Sequence, residues 1–192
     1  MNKLIIDTST YYLYVSVIKN DENYYNKVLY GKNTHSENLM NVITEGLQDM
    51  EMKELNEIIV GIGPGSYTGV RIALTVAKTL AWTLNIPLKT ISSLSLISSG
   101  YNNINGTYAV SCIAKKGHIY GKIFRIEDEK MEILLDDIFL QEEEFKSYAS
   151  KYDAKYIAEG DYKFDDSVID KLSIYSKNVH EVVPNYLRKA NS

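Results

Sequence analysis

Apolar positions along this 192-residue chain switch between strand-like and helix-like spacing, and the order of the switches repeats. Alternating or fully apolar runs predict strands, and runs with a spacing of three and four predict helices. The predicted strands of the first half are 4–6, 12–18, 24–30, 58–62 and 88–91, and its helices run from a Thr34 cap to about Met50 and from Gly69 to about Leu84. The second half is predicted to hold strands 107–114, 118–126, 131–139 and 155–158 and helices 141–152 and 165–172.

Both halves therefore read βββαβα, which predicts two copies of one α/β unit, the second of them shortened. We expect residues 1–100 to form the first unit and residues 101–192 the smaller second unit with its tail. A short helix or turn at 92–99 and a polar stretch at 101–106 would connect them.

A glycine-rich turn joins the strand at 58–62 to the long helix, and it contains Gly63, Pro64, Gly65 and Gly69. Glycine permits positive φ and close approach, proline fixes φ, and Thr68 is predicted to cap the helix. Backbone N–H groups at such a helix start can bind an anion. However, a P-loop needs a lysine after its last glycine, and the glycine spacing misses the dinucleotide pattern by one residue. A tight turn without a ligand is therefore favoured over a phosphate site.

The helix that follows this turn is apolar around most of its circumference, whereas a surface helix usually shows one apolar face. It should therefore be buried on two sides, one against the sheet and the other against either the rest of the chain or a partner protein. The small residues Ala73, Ala77 and Ala81 would allow another helix to approach closely.

Charge and composition exclude several classes of function. The net charge of −4 argues against strong unaided binding to nucleic acid, which depends on Lys and Arg contacts to phosphates. A single cysteine, Cys112, fits a reducing cytoplasm, and no apolar run is long enough to span a membrane. The histidines His35, His118 and His180 form no metal-binding motif, and no serine is singled out as a nucleophile. We therefore expect no metal and no cofactor.

Several segments, taken in order, resemble the TsaB (YeaZ) family, which serves bacterial threonylcarbamoyladenosine synthesis on tRNA and belongs to the glycoprotease (peptidase M22-like) superfamily. The matching segments are Ile6–Thr10, His35–Leu39, Gly63–Ile72, Ala77–Lys78, Ile86–Pro87, Ser92–Leu94 and the tail Pro184–Arg188. The resemblance implies an actin-like or Hsp70-like fold of two ribonuclease-H-like lobes. It is specific over the first 95 residues, whereas the second half matches only in its strand pattern and tail.

The resemblance also implies that the chain lacks catalytic residues. In the related catalytic TsaD family, two histidines in the matching segment bind the metal. Here Ser93 and Ile97 stand at those two positions, and neither side chain can replace an imidazole at a transition metal. The expected function is thus a catalytically inert, cytoplasmic subunit that binds and stabilises the TsaD enzyme, which modifies the adenosine next to the anticodon.

The family pairs through its first two helices, as a homodimer alone and as a heterodimer with TsaD, and the ATPase TsaE joins the complex. Binding of tRNA would occur only through that complex. The residues expected at the interface are Leu39, Ile43, Leu47, Val70, Ala73, Leu74, Ala77, Lys78 and Ala81. Two alternatives remain open: a stand-alone actin-like phosphotransferase or metallopeptidase, for which Asp7 is the obvious acidic candidate, and a self-associating module unrelated to tRNA.

Overall fold

Ten strands and five helices make up the computed structural model, which describes residues 1–31 and 34–187. The strands are β1 (Lys3–Asp7), β2 (Tyr12–Lys19), β3 (Glu22–Tyr30), β4 (Glu57–Gly61), β5 (Leu88–Ile91), β6 (Gly106–Lys115), β7 (His118–Glu127), β8 (Lys130–Gln141), β9 (Lys155–Ile157) and β10 (Ile174–Tyr175). The helices are α1 (His35–Gly46), α2 (Tyr67–Leu84), α3 (Ser93–Ile97), α4 (Glu142–Lys151) and α5 (Asp166–Leu172). None of these helices is both long and apolar enough to cross a membrane.

The predicted repeat is confirmed by the strand order of the two sheets. The first sheet runs β10-β5-β4-β1-β2-β3 and the second runs β8-β7-β6-β9. In each sheet three antiparallel strands are followed by a parallel neighbour of the first, since β4 lies parallel to β1 and β9 lies parallel to β6. Within the described residues the second sheet stops there, whereas the first continues through β5 and ends with the antiparallel strand β10.

Helices α1 and α2 cover one face of the first sheet. Because successive side chains of a strand point to opposite faces, Leu4 and Ile6 of β1 lie under these helices while Ile5 faces away. Ile5 belongs to a second core between the two sheets, where it joins side chains such as Leu94 of α3 and Phe124 of β7. A third, smaller core lies under α4 on the far face of the second sheet.

Helix α5 comes from the second half of the chain but is tied to the first sheet by buried charges. Lys3 and Lys89 contact the two carboxylate oxygens of Asp170 at 2.5 and 2.6 Å. Glu57, which is 1% exposed, lies 3.3 Å from the ammonium group of Lys89. Burial raises the pKa of Asp170, but the hydrogen bonds from the two lysines outweigh it and leave the pKa below its usual value. Two positive and two negative groups thus balance within one buried cluster.

Two predicted helix starts need correction. The cap of α2 is Ser66, whose hydroxyl accepts from the N–H of Gly69 at 3.2 Å, so the helix begins at Tyr67 and Thr68 lies inside its first turn. Thr34 does precede α1 as predicted, but its side chain makes no capping hydrogen bond. That helix also ends at Gly46, four residues before the predicted end.

The apolar side chains expected at a partner interface lie inside the chain instead. Leu39, Ile43, Leu47, Val70, Ala73, Leu74, Ala77 and Ala81 are each at most 7% exposed and belong to the core under α1 and α2. The sequence pattern identified a buried stripe of α2 but could not show that the sheet of its own unit covers this stripe. These side chains therefore stabilise the fold of the free chain.

We predict that Ala77→Glu unfolds the chain rather than only separating subunits. Ala77 is 0% exposed, and burial of an unpaired carboxylate should lower the free energy of unfolding by at least about 3 kcal/mol. Urea unfolding followed by circular dichroism measures the change. Thr79→Glu, on the exposed side of the same helix, is the matched control and should stay within about 0.5 kcal/mol of the parent. A folded, equally stable Ala77→Glu variant would contradict this placement.

Candidate functional site

The carboxyl ends of β1 and β4 meet at Asp7, which is 1% exposed. One carboxylate oxygen of Asp7 accepts the hydroxyl of Ser93 at 2.5 Å. The other oxygen accepts the backbone N–H of Ser9 at 2.8 Å and the Ser9 hydroxyl at 2.7 Å. Adjacent parallel strand ends are where α/β folds commonly place ligand-binding groups. Here, however, the carboxylate is already surrounded by donors from its own chain.

Burial raises the pKa of Asp7, and this effect is larger than the opposing hydrogen bonds from Ser93 and Ser9 and the charge of His35. A buried carboxyl resists ionisation because the charged form loses its hydration. The ring of His35 is buried as well, and its Nε2 lies 2.8 Å from the carbonyl oxygen of Thr10. His35 is thus held by the loop after β1.

Three glycines near the turn are required because other backbone or side-chain atoms occupy the space of a Cβ. A Cβ on Gly61 would lie 1.7 Å from a carboxylate oxygen of Asp7. On Gly65 it would lie 2.3 Å from the carbonyl oxygen of Ser9, and on Gly69 it would lie 1.9 Å from that of Thr8. Because these three residues have no Cβ, the turn can pack closely against the end of β1 and the loop that follows it.

Glycine is also favoured at position 63, because the φ angle there is +90°. The peptide bond between Gly63 and Pro64 is cis. The turn as a whole keeps the loop after β1 and the start of α2 in direct contact. The predicted structural role of Gly63, Pro64, Gly65 and Gly69 is therefore consistent with their placement.

Three backbone N–H groups of this turn are bonded within the chain. The N–H of Gly63 donates to the Ser93 hydroxyl at 2.9 Å, and that of Ser66 donates to the carbonyl of Ser9 at 2.6 Å. The N–H of Gly69 is bonded to the Ser66 side chain that caps α2. These three groups thus serve the fold and are not free to bind a phosphate, which favours the tight-turn interpretation.

Ser93 and Ile97, the two positions where the catalytic family would carry histidines, lie side by side on α3 and are both buried. Ser93 bridges Asp7 and the Gly63 amide, while Ile97 packs into the core between the sheets. In the described part of the chain no three His, Cys, Asp or Glu side chains come together as a metal site would require.

Lys78, the one charged residue expected at the interface, contacts its own chain. Its ammonium group donates to the carbonyl oxygens of His180 and Val182 at 3.0 and 2.9 Å. These carbonyls belong to residues 176–187, a segment that follows β10 and lies along one side of α2; we call it the strap. Trp82 meets His180 edge to face within this contact, with ring centroids 6.0 Å apart. Sequence reasoning missed the strap because it contains hardly any regular secondary structure.

Two residues of the tail Pro184–Arg188, Tyr186 and Leu187, pack against the rest of the chain. Tyr186 stacks on Tyr67 at the start of α2, with centroids 5.4 Å apart, and Leu187 packs against the core between the sheets. The last residue of the motif, Arg188, lies outside the described residues.

The outer surface of the α1–α2 pair remains partly apolar after the sheet and the strap have covered their sides. Met40 of α1 is 42% exposed. Ile72, Val76 and Leu80 of α2 are half-buried along one side of that helix. These positions lie next to the buried stripe and are partly accessible to solvent.

Comparison with known proteins gives consistent results. Residues 30–184 match a family model described as TsaD, tRNA N6-adenosine threonylcarbamoyltransferase. The tRNA threonylcarbamoyladenosine biosynthesis protein TsaB of Bacillus subtilis is 35% identical over 139 residues, which are 71% of this chain and 61% of that protein. Escherichia coli TsaB is 35% identical over 71 residues, or 36% of this chain and 31% of that protein. The match to this chain thus spans about three fifths of the length of the Bacillus relative.

A solved structure from Pseudomonas aeruginosa, described as an uncharacterized protein with similarity to peptidase YeaZ, covers 97% of this chain and 99% of its own, with a TM-score of 0.78 and 18% identity. A second structure, YeaZ from the same organism, gives a TM-score of 0.75 over 96% of this chain and all of its own. At this identity the likeness concerns the fold alone. Together with the repeated strand order, it confirms the predicted actin-like α/β class.

We predict that Asp7→Asn changes how stability depends on pH. Because the folded state raises the pKa of Asp7 above 3.8, the native chain binds more protons than the unfolded chain as the pH rises past that value. The parent should therefore lose stability relative to the variant, by up to about 1.4 kcal/mol per pH unit, until the folded carboxyl has ionised. Urea unfolding between pH 4 and 7 measures this difference.

Asp128→Asn, at an exposed hairpin turn, is the control and should show no such fall. A free energy of unfolding of the parent that stays constant or rises relative to that of Asp7→Asn as the pH increases would contradict the raised pKa.

Proposed function

This chain belongs to the TsaB family, and we propose that it acts in tRNA threonylcarbamoyladenosine biosynthesis as the non-catalytic partner of a TsaD-type transferase. The TsaB proteins of Bacillus subtilis and Escherichia coli are named for that biosynthesis, and the matching family model is named for the transferase. In this proposal the chain works in the cytoplasm, pairs with the transferase and stabilises it. The modified nucleoside is the adenosine next to the anticodon.

The observation that best supports a non-catalytic role is the hydrogen bond from Ser93 to Asp7 at the ends of β1 and β4. The hydroxyl of Ser93, a position where the resemblance puts a metal-binding histidine of the catalytic family, donates to a carboxylate oxygen of Asp7 at 2.5 Å. With its carboxylate bonded to Ser93 and Ser9, Asp7 has a structural task in holding α3 and the loop after β1 together. The chain would thus contribute binding surface, and its partner would contribute the chemistry.

The two enzyme hypotheses require backbone N–H groups or metal ligands at this site, and here the groups in those places make hydrogen bonds within the chain. A phosphotransferase of this fold would need free backbone N–H groups at the turn, but those of Gly63, Ser66 and Gly69 are bonded internally. A metallopeptidase would need metal ligands beside Asp7, where Ser93 stands. The third possibility, a self-associating module, uses the same helices and is distinguished only by its partner.

The proposed partner surface is the outer face of α1 and α2. Two helices that lie side by side can meet the same pair on another subunit as a four-helix arrangement with two-fold or pseudo-two-fold symmetry. This geometry would serve a homodimer when the chain is alone and a heterodimer with the transferase, and a TsaE-type ATPase would join the latter. Since the chain carries a net charge of −4, we propose that tRNA binds only through the complex.

We predict that Met40→Glu prevents pairing while leaving the fold intact. Met40 is 42% exposed, so the new charge is solvated in the free chain but would be buried and unpaired at an interface. Light scattering should show a monomer, and a pull-down should recover at least tenfold less of the TsaD-type subunit. Ile133→Glu on β8, where the parent residue is 44% exposed, is the matched control and should pair normally. A folded Met40→Glu variant that still binds the transferase would place the interface elsewhere.

A further inference from the structure

Besides the apolar core between the two sheets, hydrogen bonds connect the two units, first through the segments that follow α3 and β9. The N–H of Gly100 donates to the carbonyl of Lys163, and the N–H of Lys163 donates to the carbonyl of Ile97, both at 3.0 Å. The hydroxyl of Ser99 accepts the N–H of Asp165 at 2.8 Å. These backbone contacts connect the end of the first unit to the second unit over a short stretch.

The sheets are joined a second time beside the glycine turn, by a residue that belongs to neither sheet. The N–H of Asn185, in the strap, donates to the carbonyl of Ile62 at the end of β4 at 2.7 Å. Its side-chain amide donates to a carboxylate oxygen of Asp137 on β8 at 3.1 Å. Asp137 is itself 8% exposed at its side chain, and its other oxygen lies 3.2 Å from the buried ammonium group of Lys122. One asparagine therefore spans from the turn of the first unit to a buried ion pair of the second.

The strap is fixed on both sides of this asparagine. Before it, β10 pairs with β5, and Lys78 holds the carbonyls of His180 and Val182. After it, Tyr186 stacks on Tyr67. These anchors lie on the first unit, and Leu187 at the end of the strap packs against the core between the sheets. The side chain of Asn185 makes the strap's hydrogen bond to the second sheet, at Asp137.

The groups enclosed beneath this bridge include Asp7 and Cys112. Cys112, on β6 of the second sheet, is 6% exposed, and its sulfur lies 4.0 Å from the carbonyl oxygen of Pro64 in the turn of the first unit. Burial raises the pKa of this thiol, so it reacts slowly while enclosed. As the chain has one cysteine, its reactivity reports on separation of the second sheet from the turn.

We propose that the strap is a latch that holds the second sheet against the glycine turn, with Asn185 as the positioning residue that closes it. Release of Asn185 from Asp137 would let the part of the second sheet beside the turn move away from it, while the rest of the core between the sheets and the contacts between residues 97–100 and 163–165 stay closed as the hinge. Cys112 and Asp7 would then become accessible to solvent. This inference goes beyond the proposed function and does not depend on the identity of any partner.

The test uses the full chain and a thiol reagent such as 5,5′-dithiobis(2-nitrobenzoic acid) at pH 8 without denaturant. In Asn185→Asp the donor to Asp137 is replaced by a second carboxylate, so the bridge becomes a repulsion. We expect Cys112 to be labelled at least tenfold faster than in the parent, with a rate that hardly changes at low urea concentration, as for a local opening. Asn185→Ala, which removes the bridge without repulsion, should give a smaller increase and carries the test if Asn185→Asp does not fold.

Asn103→Asp is the matched control, since Asn103 is exposed and also donates its side-chain amide to a carboxylate, that of Asp165, at 3.3 Å. It should be labelled at the rate of the parent. The latch is refuted if the folded Asn185 variants are labelled no faster than the control. It is refuted equally if their faster labelling depends on urea as steeply as global unfolding does.

Discussion

The carboxylate of Asp7 fills the space in which residue 61 would carry a side chain, and much of the site follows from this contact. A Cβ on Gly61 would lie 1.7 Å from a carboxylate oxygen, so β1 and β4 end at this spacing only because residue 61 is glycine. The same oxygen accepts the Ser93 hydroxyl, which fixes the start of α3. Ser93 in turn accepts the Gly63 N–H and thereby orients the turn. The turn, α3 and the loop after β1 thus form one unit.

Ion pairs hold helix α5, from the second half of the chain, against the first sheet. The carboxylate of Asp170 on α5 is shared by Lys3 and Lys89, which stand on strands of the first sheet. Loss of any one of these charges would leave a buried charge uncompensated, which costs more than the intact cluster contributes. Such a cluster specifies where α5 packs more strictly than apolar contacts would. Helix α5 is thereby held against the first sheet, although it follows the four strands of the second sheet in sequence.

Much of the fold could be predicted from the sequence, since the hydrophobic spacing identified nine of the ten strands and the repeated βββαβα order. What could not be predicted depended on contacts distant in sequence. β10 has only two residues, Ile174 and Tyr175, which are too few to show a pattern. The buried stripe of α2 was identified, but periodicity alone cannot tell whether a sheet or a partner covers a stripe. Thr68 and Ser66 are both good capping residues, and only the hydrogen bond to Gly69 distinguishes them.

For the site, sequence reasoning found the glycine turn and the serine at position 93, because both differ locally from known motifs. It also found Asp7, because this residue is a carboxylate directly after a predicted strand. It missed that Ser93 bonds Asp7, and it missed Asn185, whose two partners lie more than 40 residues away in sequence. The pairing surface itself remains a proposal. Its position shifts from the buried stripe to Met40 and the half-buried side of α2 because the buried stripe is already packed against the sheet.

The central claim, that this chain supplies surface and not chemistry, is tested by reconstituted transfer of threonylcarbamoyl to tRNA. The assay contains a TsaD-type subunit and a TsaE-type ATPase, with this chain added as parent or as Asp7→Asn. We expect transfer to require the chain and the Asp7→Asn variant to support it at the parent's rate. If Asp7→Asn still binds the transferase but transfer falls a hundredfold or more, the carboxylate takes part in the reaction and the account is wrong.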